Sequence, residues 1–73
     1  MTYEEALAAI PLGKYRHFKG NTYEVLAIAR HSETLAPMVV YRALYGDYAV
    51  WVRPAEMWCE PAGDGSVRRF TAV

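Results

Sequence analysis

His31 and Glu33, flanked by Arg30 and Thr34, form the densest polar cluster in the chain. An imidazole beside a carboxylate moves protons when the two meet at hydrogen-bond distance. Near neighbours in one loop seldom meet that way, and no serine or cysteine here has an obvious base to activate it. The competing reading is a polar loop whose Ser32, Glu33 and Thr34 satisfy their own backbone. His17 and His31 fall short of a metal site, because a catalytic zinc needs three protein ligands and no paired cysteines or carboxylates accompany them. Cys59 stands alone between Trp58 and Glu60, where it reads as a small buried hydrophobe. Gly63-Asp64-Gly65 reads as a turn, since the lysine and following helix of a phosphate loop are missing. The residues therefore predict no catalytic set, no metal and no cofactor.

A binding surface is better supported. The basic residues are six Arg (Arg16, Arg30, Arg42, Arg53, Arg68, Arg69) against two Lys, and Arg forks onto carboxylates and phosphates and stacks on aromatic rings. In the expected hairpin spanning residues 38–53, Val39, Tyr41, Ala43, Val50 and Val52 suit an interior face, while Met38, Val40, Arg42, Trp51 and Arg53 fall on the other. Hairpin pairing would set Arg42 near Trp51 or Arg53, an aromatic platform with guanidinium groups beside it. Arg42, Trp51 and Arg53 are the leading ligand contacts, with Arg30, His31, Glu33 and Tyr41 as further candidates. A purely structural use of this face would have Leu7 and Ile10 cover it while Arg42 and Arg53 pair with Glu24, Glu56 or Glu60. A homodimer would bury the same patch.

The chain has 73 residues, enough for one small domain. It is 53% hydrophobic and 22% charged, with six Tyr, two Trp and two Phe, which is too apolar for disorder and supplies large side chains for a core. Its longest apolar runs fall short of the roughly 18 residues of a membrane helix. The early glutamates Glu4 and Glu5 oppose a signal peptide, and one cysteine excludes an internal disulfide, so the cytoplasm is the expected compartment. Eight basic and eight acidic residues cancel, so no broad field draws the chain to nucleic acid or an anionic membrane.

Thr2 with Glu5 forms a capping-box pattern, and Tyr3, Leu7 and Ile10 fall on one side of a short helix stopped by Pro11 and Gly13. From Gly13 the hydrophobic period becomes two. Strands are expected at residues 14–18, 22–30, 38–44, 48–53, 58–60 and 67–71, with turns at Lys19-Gly20-Asn21 and Tyr45-Gly46-Asp47. In the longest strand Tyr23, Val25, Ala27 and Ala29 should share one face and Leu26 and Ile28 the other. Pro54 cannot donate to a ladder, so residues 53–57 should leave the sheet as one helical turn. The pattern predicts a mainly β fold: a small SH3-like antiparallel barrel of five to six strands over residues 13–73, preceded by a helical extension over residues 1–12.

Gly13-Lys14-Tyr15-Arg16-His17-Phe18-Lys19-Gly20-Asn21, Tyr23-Glu24-Val25-Leu26, Ala29-Arg30-His31-Ser32-Glu33-Thr34, Val40-Tyr41-Arg42-Ala43-Leu44-Tyr45-Gly46 and Trp51-Val52-Arg53-Pro54 occur in that order. Together they closely resemble the small bacterial family catalogued as domain of unknown function sixteen fifty-three. The resemblance covers about Gly13 to Phe70 and implies an SH3-type barrel. Ala27, Ala36 and Ala49 depart from it where relatives carry glycine or a larger or charged residue, as does Trp58 where phenylalanine is usual. The family brings no assigned activity and no catalytic residues.

The expected function is therefore a non-catalytic module whose aromatic and arginine surface binds a peptide or a small anionic ligand. The alternative is a barrel that binds RNA or single-stranded DNA, against which the neutral net charge counts.

Overall fold

The computed structural model describes residues 1–63 and 65–73. The turn expected at Gly63-Asp64-Gly65 is centred on Asp64 and lies partly outside the described residues.

Helix α1 (Tyr3–Ala9) begins with the capping box read from the sequence: Thr2 Oγ1 accepts from the Glu5 N–H at 3.1 Å, and Glu5 Oε1 accepts from the Thr2 N–H at 2.6 Å. Seven residues do not hold a helix in isolation, so α1 depends on what it buries. Ala6 and Ile10 enter the core, and Tyr3 packs beside it while its hydroxyl donates to the Ile28 carbonyl at 3.3 Å. Leu7, expected on the same stripe, is 47% exposed. The buried face runs through positions 3, 6 and 10 because Ala6 allows the close approach that Leu7 would block.

Seven strands follow: β1 (Gly13–His17), β2 (Thr22–Arg30), β3 (Pro37–Ala43), β4 (Val50–Pro54), β5 (Pro61–Ala62), β6 (Val67–Arg68) and β7 (Phe70–Ala72), with helix α2 (Ala55–Cys59) between β4 and β5. The first four and β7 form an antiparallel sheet in the order β4-β3-β2-β1-β7, and β5 pairs with β6 in a second, two-stranded sheet. The fold is mainly β, as expected, but the larger sheet keeps β4 and β7 as two separate edges and does not close into a barrel. The single strand expected at 67–71 is divided at Arg69, because Val67 and Arg68 pair with β5 while Phe70 and Thr71 pair with β1. Trp58 and Cys59 are helical instead of extended: α2 buries Ala55 and Trp58, three apart on one face.

Two registers overturn the expected faces. Val25 pairs with Tyr41 but Ala27 pairs with Val40, so Leu26 is the extra residue of a β-bulge. The bulge brings Ile28 onto the face of Tyr23 and Val25 and turns Ala27 and Ala29 outward, reversing the expected faces beyond residue 26. In the β3–β4 hairpin Tyr41 opposes Trp51 and Val39 opposes Arg53, while Arg42 opposes Val50 and Val40 opposes Val52. Directly opposed residues share a face. Trp51 and Arg53 therefore lie on the inner face with Val39 and Tyr41, and Val50 and Val52 lie outside with Arg42. The loop geometry sets this register, and a shift of one residue inverts every side chain.

The inner face, α1 and α2 enclose one core containing Ile10, Tyr15, Val25, Val39, Tyr41, Trp58 and Phe70. Trp58 stacks on Phe70, and Tyr41 meets Trp58 edge to face with centroids 5.0 Å apart. Tyr15 donates its hydroxyl to the Pro11 carbonyl at 2.7 Å, tying the α1–β1 linker to the core. Among the described residues no charged or polar residue is buried as a whole, and no helix is long and apolar enough to cross a membrane.

Candidate anion-binding groove

The β3–β4 register separates the residues that the sequence grouped. Arg42 is exposed on the outer face opposite Glu24, whereas Trp51 and Arg53 lie on the inner face. The platform of Arg42 with Trp51 and Arg53 is thus not assembled. Nor do Arg42 and Arg53 pair with glutamates: among the described residues the one ion pair joins the Met1 ammonium to Glu56. Tyr41 belongs to the core. Arg30 places its guanidinium carbon 3.8 Å from the centroid of the Tyr3 ring, so it holds α1 against the end of β2. His31 serves its own loop, its Nδ1 accepting from the Glu33 and Thr34 N–H groups at 3.1 and 3.3 Å. Glu33 meets His31 through its amide, not its carboxylate, so this is the backbone-satisfying loop rather than a proton-transfer pair. Cys59 is exposed on α2, and partial burial of its thiol holds the pKa above the ordinary value, leaving it a poor nucleophile.

Cations converge elsewhere, where β1 ends against the corner between β6 and β7. Phe18 follows β1 and donates its N–H to the Arg69 carbonyl at 2.9 Å, which fixes the corner against the strand end. Gly20, at φ 108°, completes the turn by donating to the His17 carbonyl at 2.7 Å, a conformation that favours glycine. Between these segments opens a groove of about 470 Å³ whose lining includes Arg16, His17, Phe18, Val67, Arg68 and Thr71. Arg16 and Arg68 face the same space from two different strands.

His17 records the charge around it. Partial burial, followed by the positive charges of Arg69, Lys19 and Arg53, holds its pKa below the usual imidazole value. Its Nδ1 accepts from the Lys19 N–H at 3.2 Å, so the neutral ring carries its proton on Nε2. The ring lies 4.5 Å from Phe18 and 5.0 Å from Phe70, centroid to centroid, and Arg53 sits 5.7 Å above the Phe70 ring. Lys19 lies 5.8 Å from the Phe18 ring. The Nε of Arg69 is buried and has no hydrogen-bond partner among the described residues. Arg69, Lys19 and Arg53 thus bear on the imidazole, and Arg16 and Arg68 line the groove beside it.

The spacing of acids and bases along the chain does not mark this cluster, and in the sequence His17 stands out only as a potential metal ligand. The available signal was local density: Arg16-His17-Phe18-Lys19 and Arg68-Arg69 are the chain's two basic runs. Among the described residues no three His, Cys, Asp or Glu converge as metal ligands.

The fold and groove define a small, mainly β domain with a basic cleft at one end of an open sheet. Residues 13–72 match the family model described as Protein of unknown function (DUF1653), and the chain belongs to that family. It is similar to the crystal structure of a DUF1653 protein from Bordetella bronchiseptica, with 35% sequence identity and a TM-score of 0.79 over 92% of this chain and 91% of that one. No curated protein matches the chain.

Proposed function

We propose that this protein is a non-catalytic binding module, an SH3-like barrel left open along one side, that holds a small anionic ligand or the acidic side chain of a peptide in the groove between β1 and β6. The observation that carries this reading is the convergence of Arg16 and Arg68 on one cleft, with Lys19, Arg53 and Arg69 around His17. No carboxylate among the described residues forms an ion pair with any of them. Guanidinium groups with no ion-pair partner among the described residues offer paired N–H donors to a phosphate or carboxylate. The exposed Phe18 ring in the groove lining gives an apolar part of the ligand a surface to lie on. The commitment of His31 to its loop and the raised thiol of Cys59 support a binding role over a catalytic one. The lone cysteine is in keeping with a reducing cytoplasm.

Single-stranded nucleic acid is the second reading, favoured by Phe18, which is 42% exposed beside Lys19 and Arg16 and offers a ring on which a base could stack. Amide chemical-shift titrations with inorganic phosphate, an acidic peptide pool and a single-stranded oligonucleotide pool separate these ligands. Shifts centred on Arg16, His17, Phe18 and Arg68 are expected. Oligonucleotide binding that weakens steeply with salt selects nucleic acid. Silence of these amides in all three titrations overturns the groove as a binding site.

A further inference from the structure

The β4 edge carries an inference separate from the ligand groove. Residues Val50, Trp51 and Val52 form the unpaired margin of the larger sheet and are 49%, 56% and 61% exposed. Three consecutive large apolar residues on an open edge are a template for another strand. The opposite edge, β7, lacks this character: Thr71 and Ala72 are small, and only Phe70, which is buried, is large.

Backbone phase determines which groups the β4 edge presents. The Ala43 N–H donates to the Ala49 carbonyl at 2.9 Å. Hydrogen-bonded positions alternate along an antiparallel ladder, so Trp51 and Arg53 direct their backbone groups at Tyr41 and Val39. The backbone groups of Val50, Val52 and Pro54 therefore point outward. Pro54 has no N–H to offer, leaving two donors and three acceptors on the free edge.

We infer that β4 pairs antiparallel with β4 of a second copy of this chain, about a two-fold axis at Val52. In this register Val52 opposes the partner's Val52, Val50 opposes the partner's Pro54, and Trp51 opposes the partner's Arg53. The available donors and acceptors meet: each Val52 N–H bonds the opposite Val52 carbonyl, and each Val50 N–H bonds the opposite Pro54 carbonyl. The missing Pro54 N–H falls where the register tolerates its loss, at the outer end of the seam. On the inner face the seam sets each exposed Trp51 ring beside a guanidinium stem, a complementary aromatic–cation pair made twice by symmetry. On the outer face it joins Val50, Val52 and Pro54 of the two copies into one apolar strip. Such an interface is isologous and closed, so it yields a dimer and no longer chain of subunits.

Sedimentation equilibrium of the intact chain over a concentration series reads the mass without any ligand, so this inference and the groove reading fail independently. The expected species has twice the 8.3 kDa chain mass. Val52→Lys sets two ammonium groups face to face across the axis and should weaken association by at least about tenfold. In the separate chain it alters only an exposed side chain, and an unchanged far-UV spectrum verifies folding. In a Cys59→Ser background Val52→Cys should form a disulfide-linked dimer on mild oxidation, because its Cα atoms would lie about 5.5 Å apart. Trp51→Cys in the same background should cross-link far less. A wild-type chain that remains monomeric throughout overturns the inference, as does a dimer indifferent to folded Val52→Lys. More efficient cross-linking at position 51 than at 52 overturns the register.

Discussion

Trp58 and Phe70 lie face to face, with ring centroids 3.6 Å apart and planes 2° from parallel. One comes from α2 and the other from β7, so the stack joins the helix after β4 to the far edge of the sheet. Tyr15 and Tyr41 meet the indole edge to face from β1 and β3. A single side chain thereby connects four elements.

Trp58→Ala should cost about 3–5 kcal/mol, a large part of the stability of a domain this small. Trp58→Phe should cost much less, since a phenyl ring preserves the stack and leaves the smaller void. Urea unfolding followed by far-UV circular dichroism compares the two. Equal losses would show that a phenyl ring at this position recovers neither the stack nor the packing.

The capping box at the start of α1 makes a second, smaller prediction. Thr2→Ala removes the oxygen that accepts from Glu5 N–H and should cost about 1 kcal/mol. Because α1 has seven residues, the loss should appear as faster amide exchange within the helix before global stability changes much. Unaltered exchange in α1 would contradict a role for the cap.

His17 makes the fold acid-sensitive. Its folded pKa lies below the unfolded value, so the unfolded chain binds its proton first as pH falls. Stability should decline as pH drops below about 6.5 and continue to fall until the folded imidazole is protonated. His17→Gln should flatten that part of the pH profile. An anion in the groove should raise the His17 pKa, which imidazole shifts recorded with and without phosphate would measure. No change with phosphate would place the anion away from the ring.

At high pH Tyr23 takes over. Burial, reinforced by the 2.8 Å hydrogen bond to the Tyr45 hydroxyl, pushes its pKa up to about 12. The unfolded phenol ionises near 10, so stability should fall as pH rises above that value. Tyr45→Phe removes the hydroxyl partner and should bring the Tyr23 pKa down, as read by ultraviolet titration of the phenolate. An unmoved pKa would leave burial as the whole cause.

Charge reversal tests the groove. Arg16→Glu and Arg68→Glu should each weaken phosphate or acidic-peptide binding about tenfold or more, because hydrogen bonds to charged groups contribute about 1.5–3 kcal/mol. Both arginines are exposed, so stability should hardly move. Arg42→Glu, on the outer face, is the control and should leave binding unchanged. Loss of binding in Arg42→Glu alone would transfer the site to the outer sheet.

The sequence made the capping box, the mainly β class and the β3 core residues legible because each rests on local spacing. Thr2 and Glu5 stand three apart, and Val39, Tyr41 and Ala43 alternate without interruption. The faces of β2 and β4 were not legible, since one depends on a bulge at Leu26 and the other on the register of a hairpin loop. Neither changes composition or hydropathy. The groove escaped notice for a related reason: Arg16 and Arg68 are distant in sequence, and a β7–β1 pairing brings their segments together. Net charge, which is zero, conceals that clustering.

The bulge at Leu26 makes β2 two reading frames joined end to end. Deleting Leu26 would restore uninterrupted alternation and leave every face as it is, with Val25 still opposite Tyr41, Ala27 opposite Val40 and Ile28 opposite Val39. A single-residue gap in an alignment of β2 therefore belongs at the bulge, where a relative that lacks the extra residue keeps the same inside and outside faces.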